Sequence, residues 1–135
     1  MSNKYKKIML IDDNEIDLKI NSKIINISGL FDEIIICHSG DEGLTYLGRH
    51  AEDEQNLPDF ILLDIQMPEM DGFEFLEVFK KFPDKLKEKC QVAILSSTLD
   101  FGDIKKAEAN PYVIKLLKKP LFPKELEEVL NKYSK

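Results

Sequence analysis

Five short apolar runs, each ending in polar residues, constrain the fold of this chain more than any other feature of its sequence. The third run, Phe60 to Leu63, ends at Asp64, and a turn-rich stretch from Met67 to Gly72 follows. Short apolar runs bounded by turn residues are typical of fully buried strands. Asp64 is therefore predicted to stand at the carboxyl end of a buried strand, where open α/β sheets bind their ligands.

Segments with helical periodicity separate the apolar runs. The predicted strands are 7–11, 33–37, 59–63, 91–95 and 112–117. The predicted helices lie between Asn14 and Gly29 and at 39–47, 72–82, 100–109 and 123–133. Strands that alternate with helices predict a doubly wound α/β domain, with a five-stranded parallel sheet covered on both faces.

Three segments carry more specific expectations. Asn14 is predicted to cap the first helix and Gly29 to end it. The apolar face of that helix is predicted to carry isoleucines at helical spacing, Ile16, Ile20, Ile24 and Ile27, with Leu18 and Ile25 flanking them. The charged stretch 84–89 is expected to be solvated. The last helix is predicted to begin at Pro123 and to bury Leu126, Val129, Leu130 and Tyr133.

Composition bounds the class of protein. At 135 residues, with 43% hydrophobic residues and a net charge of −6, the chain is expected to form one domain over residues 1–135. The acidic balance argues against a nucleic-acid partner, and no apolar stretch approaches the roughly 20 residues that a membrane span needs. Cys37 and Cys90 are expected to be buried, reduced thiols. We therefore expect a cytoplasmic protein that does not insert into a membrane.

The polar side chains that could form one site follow the first, third, fourth and fifth predicted strands. Asp12 and Asp13 follow the first strand, Asp64 the third, Ser96 the fourth and Lys119 the fifth. Parallel strands end at the same edge of a sheet, so these side chains are expected to converge there. Alone, each acid is equally a helix or turn cap. Together the five residues form a constellation of three carboxylates, one hydroxyl and one amine.

The residue types in this constellation indicate a chemistry. Three carboxylates within a few ångströms repel one another unless they take up protons or hold a cation. Oxygen ligands suit Mg²⁺, which keeps several waters and often bridges to a phosphate. The amine and the hydroxyl suit a phosphoryl group, and a carboxylate can be the nucleophile that forms an aspartyl phosphate.

With these residues, the chain resembles the receiver domain of two-component response regulators over nearly its whole length. The matching residues are Asp12-Asp13, the stretch Asp-Ile-Gln-Met-Pro-Glu-Met-Asp-Gly at 64–72, Ser96 and Lys119-Pro120. The resemblance implies a flavodoxin-like (CheY-like) fold, whose sheet has the strand order 2-1-3-4-5, with five helices.

The resemblance also implies roles for individual residues. Asp64 would take a phosphoryl group from a phosphohistidine on a sensor histidine kinase or a histidine phosphotransfer protein. Ser96 and Lys119 would hold phosphoryl oxygens, and the bond between Lys119 and Pro120 would be cis. The implied Mg²⁺ ligands are Asp13, Asp64 and the backbone carbonyl of Gln66, with Asp12 acting through water.

Some assignments have rivals nearby. Lys118 competes with Lys119, although adjacent strand residues face opposite sides and the following proline favours Lys119. Ser97 and Thr98 compete with Ser96, or cap the next helix instead.

The clearest departure from the family is Leu116, because the family often has Tyr or Phe three residues before the matched lysine. We therefore expect the phosphorylation signal to pass without a ring flip, through the loop after Ser96 and the last two strand–helix units. The surface for an unidentified downstream partner is expected on the last helix, the fifth strand and the helix before it. Residues expected there are Lys105, Lys106, Lys115 and Phe122, for which an ordinary solvated face is the alternative.

The expected function is that of a stand-alone response regulator, a phosphoacceptor switch with self-catalysed phosphotransfer and autodephosphorylation rather than an enzyme. A phosphatase of the haloacid dehalogenase type would carry a second Asp two residues after the nucleophile, where Gln66 stands. A non-phosphorylated scaffold would be expected to lack Asp64, Asp13 or Lys119. A flavin carrier would have a Ser/Thr/Gly-rich loop after the first strand rather than two acids.

Overall fold

A five-stranded parallel sheet forms the centre of the computed structural model, which describes residues 5–133, with side chains described for residues 7–132. The strands are β1 (Tyr5–Ile11), β2 (Phe31–Cys37), β3 (Phe60–Leu63), β4 (Gln91–Ser96) and β5 (Val113–Lys118). Neighbouring strands pair in parallel, in the order β2-β1-β3-β4-β5. The predicted doubly wound architecture and strand order are confirmed.

Helices in the described part of the chain cover both faces of the sheet. They are α1 (Glu15–Ser28), α2 (Gly40–Arg49), α3 (Gly72–Phe79), α4 (Asp84–Lys89), α5 (Phe101–Ala109) and α6 (Pro123–Tyr133), with a 3-10 turn at Glu54–Asn56. Buried side chains of α1 and α6 pack on one face. Those of α2, α3 and α4 pack on the other, where α5 adds a smaller cluster. Among the described residues, no helix has the length and apolar character needed to cross a membrane.

The short helix α4 corrects two expectations, the count of five helices and the solvated stretch at 84–89. The carbonyl of Pro83 accepts hydrogen bonds from the backbone N–H groups of Leu86 and Lys87, and Leu86 is 1% exposed. One apolar residue among six leaves no periodicity to read, so the pattern cannot reveal this helix. The helix before it, α3, ends at Phe79 rather than at Phe82.

The orientation of α1 also corrects the prediction. Its limits are as expected, because Asn14 caps it and Gly29 ends it with a φ of 69°. Its buried residues, however, are Leu18, Asn21 and Ile25, and Ile24 is only partly buried. The exposed fractions of the remaining predicted residues are 68% for Ile16, 46% for Ile20 and 74% for Ile27. At about 100° per residue the two stripes lie on opposite sides of the helix, and their similar spacing gives no basis for choosing between them.

The remaining core expectations agree with the structure. Pro123 begins α6, and Leu126, Val129 and Leu130 are buried. The side chain of Tyr133, predicted on the same face, lies outside the described residues. Cys37 and Cys90 are buried free thiols, and burial raises the pKa of each to about 12.

Candidate functional site

The carboxyl ends of the strands bring the predicted acids and the amine together. One carboxylate oxygen each from Asp12, Asp13 and Asp64 lies within 4.8 Å of the others. Lys119 Nζ lies 2.6 Å from Asp12 Oδ2 and 3.6 Å from Asp64 Oδ2. The last residues of β1 and β3 are paired in register, so Asp12 and Asp64 leave the sheet side by side.

Backbone groups orient the two buried acids. Asp12 Oδ1 accepts a hydrogen bond from the N–H of Asn14 at 2.9 Å, while its Oδ2 accepts from Lys119 Nζ at 2.6 Å. Asp64 Oδ1 accepts from the N–H of Gln66 at 3.2 Å. Asp12 and Asp64 are 4% and 5% exposed, whereas Asp13 is exposed. The cluster is therefore closed towards the core and open towards Asp13.

The loop between β3 and α3 is tightly built around Asp64. The backbone N–H of Gly72 donates to the carbonyl of Ile65 at 3.1 Å. A Cβ atom on Gly72 would lie 2.8 Å from Ile65 Cα and 2.9 Å from the carbonyl oxygen of Asp64. Glu69 has a φ of 67°, a backbone conformation that non-glycine residues seldom adopt. Asp71 caps α3 in a reciprocal pair with Glu74, so it serves the helix and not the acid cluster.

Burial and charge set the protonation of the central pair. Burial raises the pKa of Asp64 to about 6, against the opposing effects of the Gln66 N–H and the charge of Lys119. Burial lowers the pKa of Lys119, but hydrogen bonds to Asp12 and Asp17 outweigh it and leave the pKa above its ordinary value. At neutral pH the amine is therefore an ammonium, and Asp64 is mostly ionised.

Ser96 lies at the end of β4, beside the lysine. It is fully buried, its carbonyl accepts from the N–H of Lys119 at 2.8 Å, and its hydroxyl donates to the carbonyl of Thr98 at 3.1 Å. Ser97 and Thr98 are exposed, and Asp100, rather than either of them, caps α5. Ser96 is thus the buried hydroxyl at this strand end, with its proton directed at a backbone carbonyl.

The structure favours Lys119 over Lys118. The side chain of Lys119 is 9% exposed, whereas Lys118 is exposed. The peptide bond between Lys119 and Pro120 is cis, as predicted. Leu116, which the family pattern singled out, is partly buried against a cluster on the α5 side of the sheet that contains Ile65 and Ile94.

Two residues of α1 reach the site, although the sequence pattern predicts no role for them there. Asp17 Oδ2 lies 2.9 Å from Lys119 Nζ, and Asn21, one turn further along, is 5% exposed. Asn21 lines a cavity of about 10 Å³ together with Asp12 and Asp64, which is room for about one water molecule. Helical side chains lean towards the N-terminus of their helix. Polar residues in the first two turns of α1, directly after Asp13, can therefore reach the site, and this is the sequence signal that could have identified Asp17 and Asn21.

The donor set fits a hard divalent cation. Asp12, Asp13 and Asp64 offer only oxygen atoms at mutual distances that one ion can span, and the exposed side at Asp13 leaves room for waters. Mg²⁺ prefers a few carboxylates together with several waters. The single amine of Lys119 does not neutralise the three acids, so a cation would relieve their mutual repulsion.

Comparison with known proteins agrees with this geometry. The family model for the response regulator receiver domain matches residues 8–131. A crystal structure of a two-component response regulator from Cytophaga hutchinsonii is 34% identical and superposes with a TM-score of 0.89, over 96% of this chain and 97% of that one.

Two relatives show different settings for the same kind of domain. The polar-differentiation response regulator DivK of Brucella anthropi is 29% identical over 128 residues, which are 93% of this chain and 97% of DivK. Hybrid signal transduction histidine kinase L of Dictyostelium discoideum is 31% identical over 132 residues, 96% of this chain. The chain spans 7% of the length of that kinase.

Proposed function

Because the chain belongs to the response regulator receiver domain family, we propose that it accepts a phosphoryl group from a phosphohistidine onto Asp64, with Mg²⁺ bound beside it. Receiver domains of this family are phosphoacceptor switches in two-component signal transduction, and histidine kinases are their phosphodonors. One observation carries the proposal for this chain. The amine of Lys119 lies against the carboxylates of Asp12 and Asp64, and Asp13 completes the acid cluster.

The chemical step is a single displacement at phosphorus. A carboxylate oxygen of Asp64 forms a bond to phosphorus while the bond from phosphorus to the donor's histidine nitrogen breaks, and that nitrogen keeps the electron pair. Lys119 would donate to one phosphoryl oxygen, where its charge offsets the charge of the group in transfer. Ser96 would donate to another oxygen once its hydroxyl turns from the carbonyl of Thr98.

The proposed cation site uses the same acids. Its ligands would be Asp13, Asp64 and the backbone carbonyl of Gln66, with Asp12 acting through water. Mg²⁺, when bound, would supply positive charge for a phosphoryl oxygen and offset the repulsion among the acids.

The test is the mass of the intact protein after incubation with acetyl phosphate and Mg²⁺. We expect the gain of one phosphoryl mass, and its loss in Asp64→Asn. Asp41→Asn, which neutralises an exposed acid on α2, is the matched control and should still gain the mass. Addition that persists in Asp64→Asn would place the phosphoacceptor elsewhere.

Two other activities are less well supported by the residues. A phosphatase with many turnovers needs an acid to protonate its leaving group, and the residue two positions after Asp64 is Gln66, which cannot do so. A scaffold that is never phosphorylated has no need to retain Lys119 among buried acids. We therefore propose a switch that binds a partner, or passes the phosphoryl group on, in response to phosphorylation.

The exposed isoleucines at the start of α1 favour this helix as the surface that the phosphodonor contacts. Ile16 and Ile20 are 68% and 46% exposed and follow Asp13 within two turns of the helix. A donor whose histidine reaches Asp64 must cover the neighbouring surface, and apolar side chains there would be buried by the contact. Replacing both isoleucines by serine should slow transfer from a phosphorylated histidine protein, with little effect on acetyl phosphate. Ile27→Ser, at the far end of α1, is the control.

The proposed output surface is formed by α5, β5 and α6. Lys105, Lys106 and Lys115 are exposed there, and Phe122 is 57% exposed. Basic and aromatic side chains of this kind suit a protein partner with an acidic surface. A pull-down that compares the beryllofluoride-loaded protein with Asp64→Asn should identify a partner specific to the activated form. Identical captures would argue against a phosphorylation-dependent surface.

The extent of the domain and its compartment remain part of the proposal. We propose that residues 1–135 form a single receiver domain that acts in the cytoplasm. The similarity to DivK over 97% of that regulator's length supports a single-domain regulator.

A further inference from the structure

An ion pair between Asp17 and Lys119 connects the first turn of α1 to the loop that follows β5. Lys119 Nζ lies 2.9 Å from Asp17 Oδ2, compared with 3.6 Å from Asp64 Oδ2. The side chains of Lys119 and Asp17 are 9% and 31% exposed, so the pair is partly shielded from solvent. The two hydrogen bonds of the amine go to Asp12 and Asp17, and neither goes to the proposed phosphoacceptor.

The structure of α1 fixes Asp17 in this position. The side chain of Asn14, the cap of the helix, accepts a hydrogen bond from the backbone N–H of Asp17 at 3.0 Å. Unpaired N–H groups at the start of a helix also favour a carboxylate in the first turn. The backbone of Asp17 is therefore held in the first turn of α1, and the 2.9 Å hydrogen bond from Lys119 Nζ places its carboxylate against the amine.

Asp12 and Asp17 differ in what becomes of their charge. The carboxylate of Asp12 belongs to the acid cluster, so a cation bound there would share its charge and weaken its attraction for the amine. Asp17 lies outside that cluster and would keep its full charge for Lys119. With a cation bound, Asp17 would therefore be the carboxylate that most strongly retains the lysine.

We propose that Asp17 is a positioning residue that holds Lys119 in the resting protein and competes with the phosphoryl group for its amine. The inference rests on the proposed function of Asp64. A phosphoryl group on Asp64 must draw the amine to its own oxygens, and the hydrogen bond to Asp17 opposes that movement. Phosphorylation therefore loosens the connection between α1 and the loop after β5.

The test is the affinity for beryllofluoride, a phosphoryl analogue, measured by ¹⁹F NMR titration at saturating Mg²⁺. Because removal of an acid also weakens cation binding, saturation is established separately for each protein. We expect Asp17→Asn to bind beryllofluoride about three- to tenfold more tightly than the wild type, as the loss of a competing charge-assisted hydrogen bond predicts. Asp17→Ala should change the affinity in the same direction.

The matched control is Glu15→Gln. It removes an equal charge from the same turn of α1, but the Glu15 carboxylate lies 3.3 Å from His38 Nε2. At about 100° per residue, Glu15 points away from the side of the helix that carries Asp17. Its beryllofluoride affinity should stay within about twofold of the wild type. A tightening as large as that in Asp17→Asn would overturn the inference, because it would show a general charge effect.

A second readout follows the lysine itself. The ¹³Cε signal of Lys119, assigned by its disappearance in Lys119→Arg, should move on addition of beryllofluoride. In Asp17→Asn it should start from a different position, because the amine has lost a partner in the resting state. Unchanged or weaker beryllofluoride affinity in Asp17→Asn overturns the role of Asp17 but leaves the proposed function intact. A wild-type protein that neither binds beryllofluoride nor gains a phosphoryl mass overturns the proposed function.

Discussion

The carboxyl group of Asp64 makes the folded protein less stable at neutral pH. Its pKa is about 6 in the folded protein because it is buried, compared with an ordinary value of 3.8. Between these two pH values the folded state binds a proton that the unfolded state releases. Stability from this group is complete below about pH 4 and is lost as the pH rises through 6.

Asp64→Asn should therefore stabilise the metal-free protein at pH 7. We expect the free energy of unfolding to rise by roughly 1–3 kcal/mol, because the amide avoids the desolvation of a buried charge. The gain should shrink towards zero near pH 4, where the wild-type carboxyl group is protonated. Urea unfolding at both pH values measures the effect, with Asp41→Asn as the exposed control. If the free energy of unfolding rises equally at both pH values, the stabilisation comes from packing and not from the charge of Asp64.

Single residues differed in how far the sequence could predict them. Asp12 and Asp64 each follow an apolar run, so strand geometry alone placed them at one edge of the sheet, whereas the choice of Lys119 over Lys118 also needed the proline that follows. Asp17 sits within a helix whose facing was unknown, and nothing in its immediate neighbours distinguishes it from an ordinary first-turn acid. The direction of the Ser96 hydroxyl depends on the backbone of the following loop, which the sequence does not specify.

Elements show the same division between limits and orientation. The limits of α1 follow from local chemistry at Asn14 and Gly29, so the sequence predicted them well. Its rotation depends on which stripe fits the sheet, and this is a property of the assembled core. Leu18 and Ile25 pack against the core formed with α6, while the isoleucines on the other side stay exposed.

Two isoleucines of α1 test that rotation directly. Ile25 is fully buried and Ile27 is 74% exposed. Ile25→Ala should lower the free energy of unfolding by about 2–5 kcal/mol, as expected for a large-to-small change in a core. Ile27→Ala should change it by about 0.5 kcal/mol or less. Chemical denaturation of the two variants measures the contrast, and the reverse ranking would restore the stripe predicted from periodicity.

The loop after β3 leaves no space for a side chain at Gly72. Because the contacting atoms include the Cα of Ile65 and the carbonyl oxygen of Asp64, besides the Cγ2 of Ile65, Gly72→Ala must displace the backbone that carries the acid. We expect a loss of about 1–3 kcal/mol of stability and slower phosphorylation by acetyl phosphate.

Gly102→Ala is the control for that substitution. Gly102 is exposed within α5, and a Cβ there would meet Asp100 Oδ1 at an ordinary 3.4 Å. Because Gly102 is the second residue of α5, this change should raise stability by only about 0.5 kcal/mol or less, since the advantage of alanine over glycine applies mainly to helix interiors. Equal effects of the two substitutions on phosphorylation would argue against a role for the loop at Gly72.

At the scale of the whole molecule, cation binding should be coupled to folding. The acids that would hold Mg²⁺ come from β1 and β3, and the cluster forms only when these strands pair. An ion that binds only the folded state raises the free energy of unfolding by about 1.4 kcal/mol when its concentration is tenfold above its dissociation constant. For a domain of this size, the melting temperature should rise by about 4–7 °C.

Thermal melts with and without Mg²⁺ measure this coupling. Asp13→Asn should reduce the shift, whereas Asp41→Asn should leave it intact. If millimolar Mg²⁺ leaves the melting temperature of the wild type unchanged, this result would count against the cation site.

The overall architecture was the most predictable level. Alternating strands and helices leave few ways to arrange a parallel sheet with right-handed crossovers, and the family resemblance selected the order observed. The exception was α4, where Leu86 alone contacts the core. A helix with only one buried side chain produces no apolar periodicity, so the sequence pattern does not predict it.

The amine of Lys119 and the carboxylate of Asp12 are separated by 107 positions along the chain, yet they touch. During synthesis, β1 and the acids that follow it leave the ribosome long before β5 does. Until β5 emerges, these acids have no contact with Lys119. A truncated product that stops short of β5 would keep Asp12, Asp13 and Asp64 but lack Lys119, so by the proposed mechanism it should not take up a phosphoryl group. Under the proposed function, reactivity at Asp64 would therefore report that the chain has folded through β5.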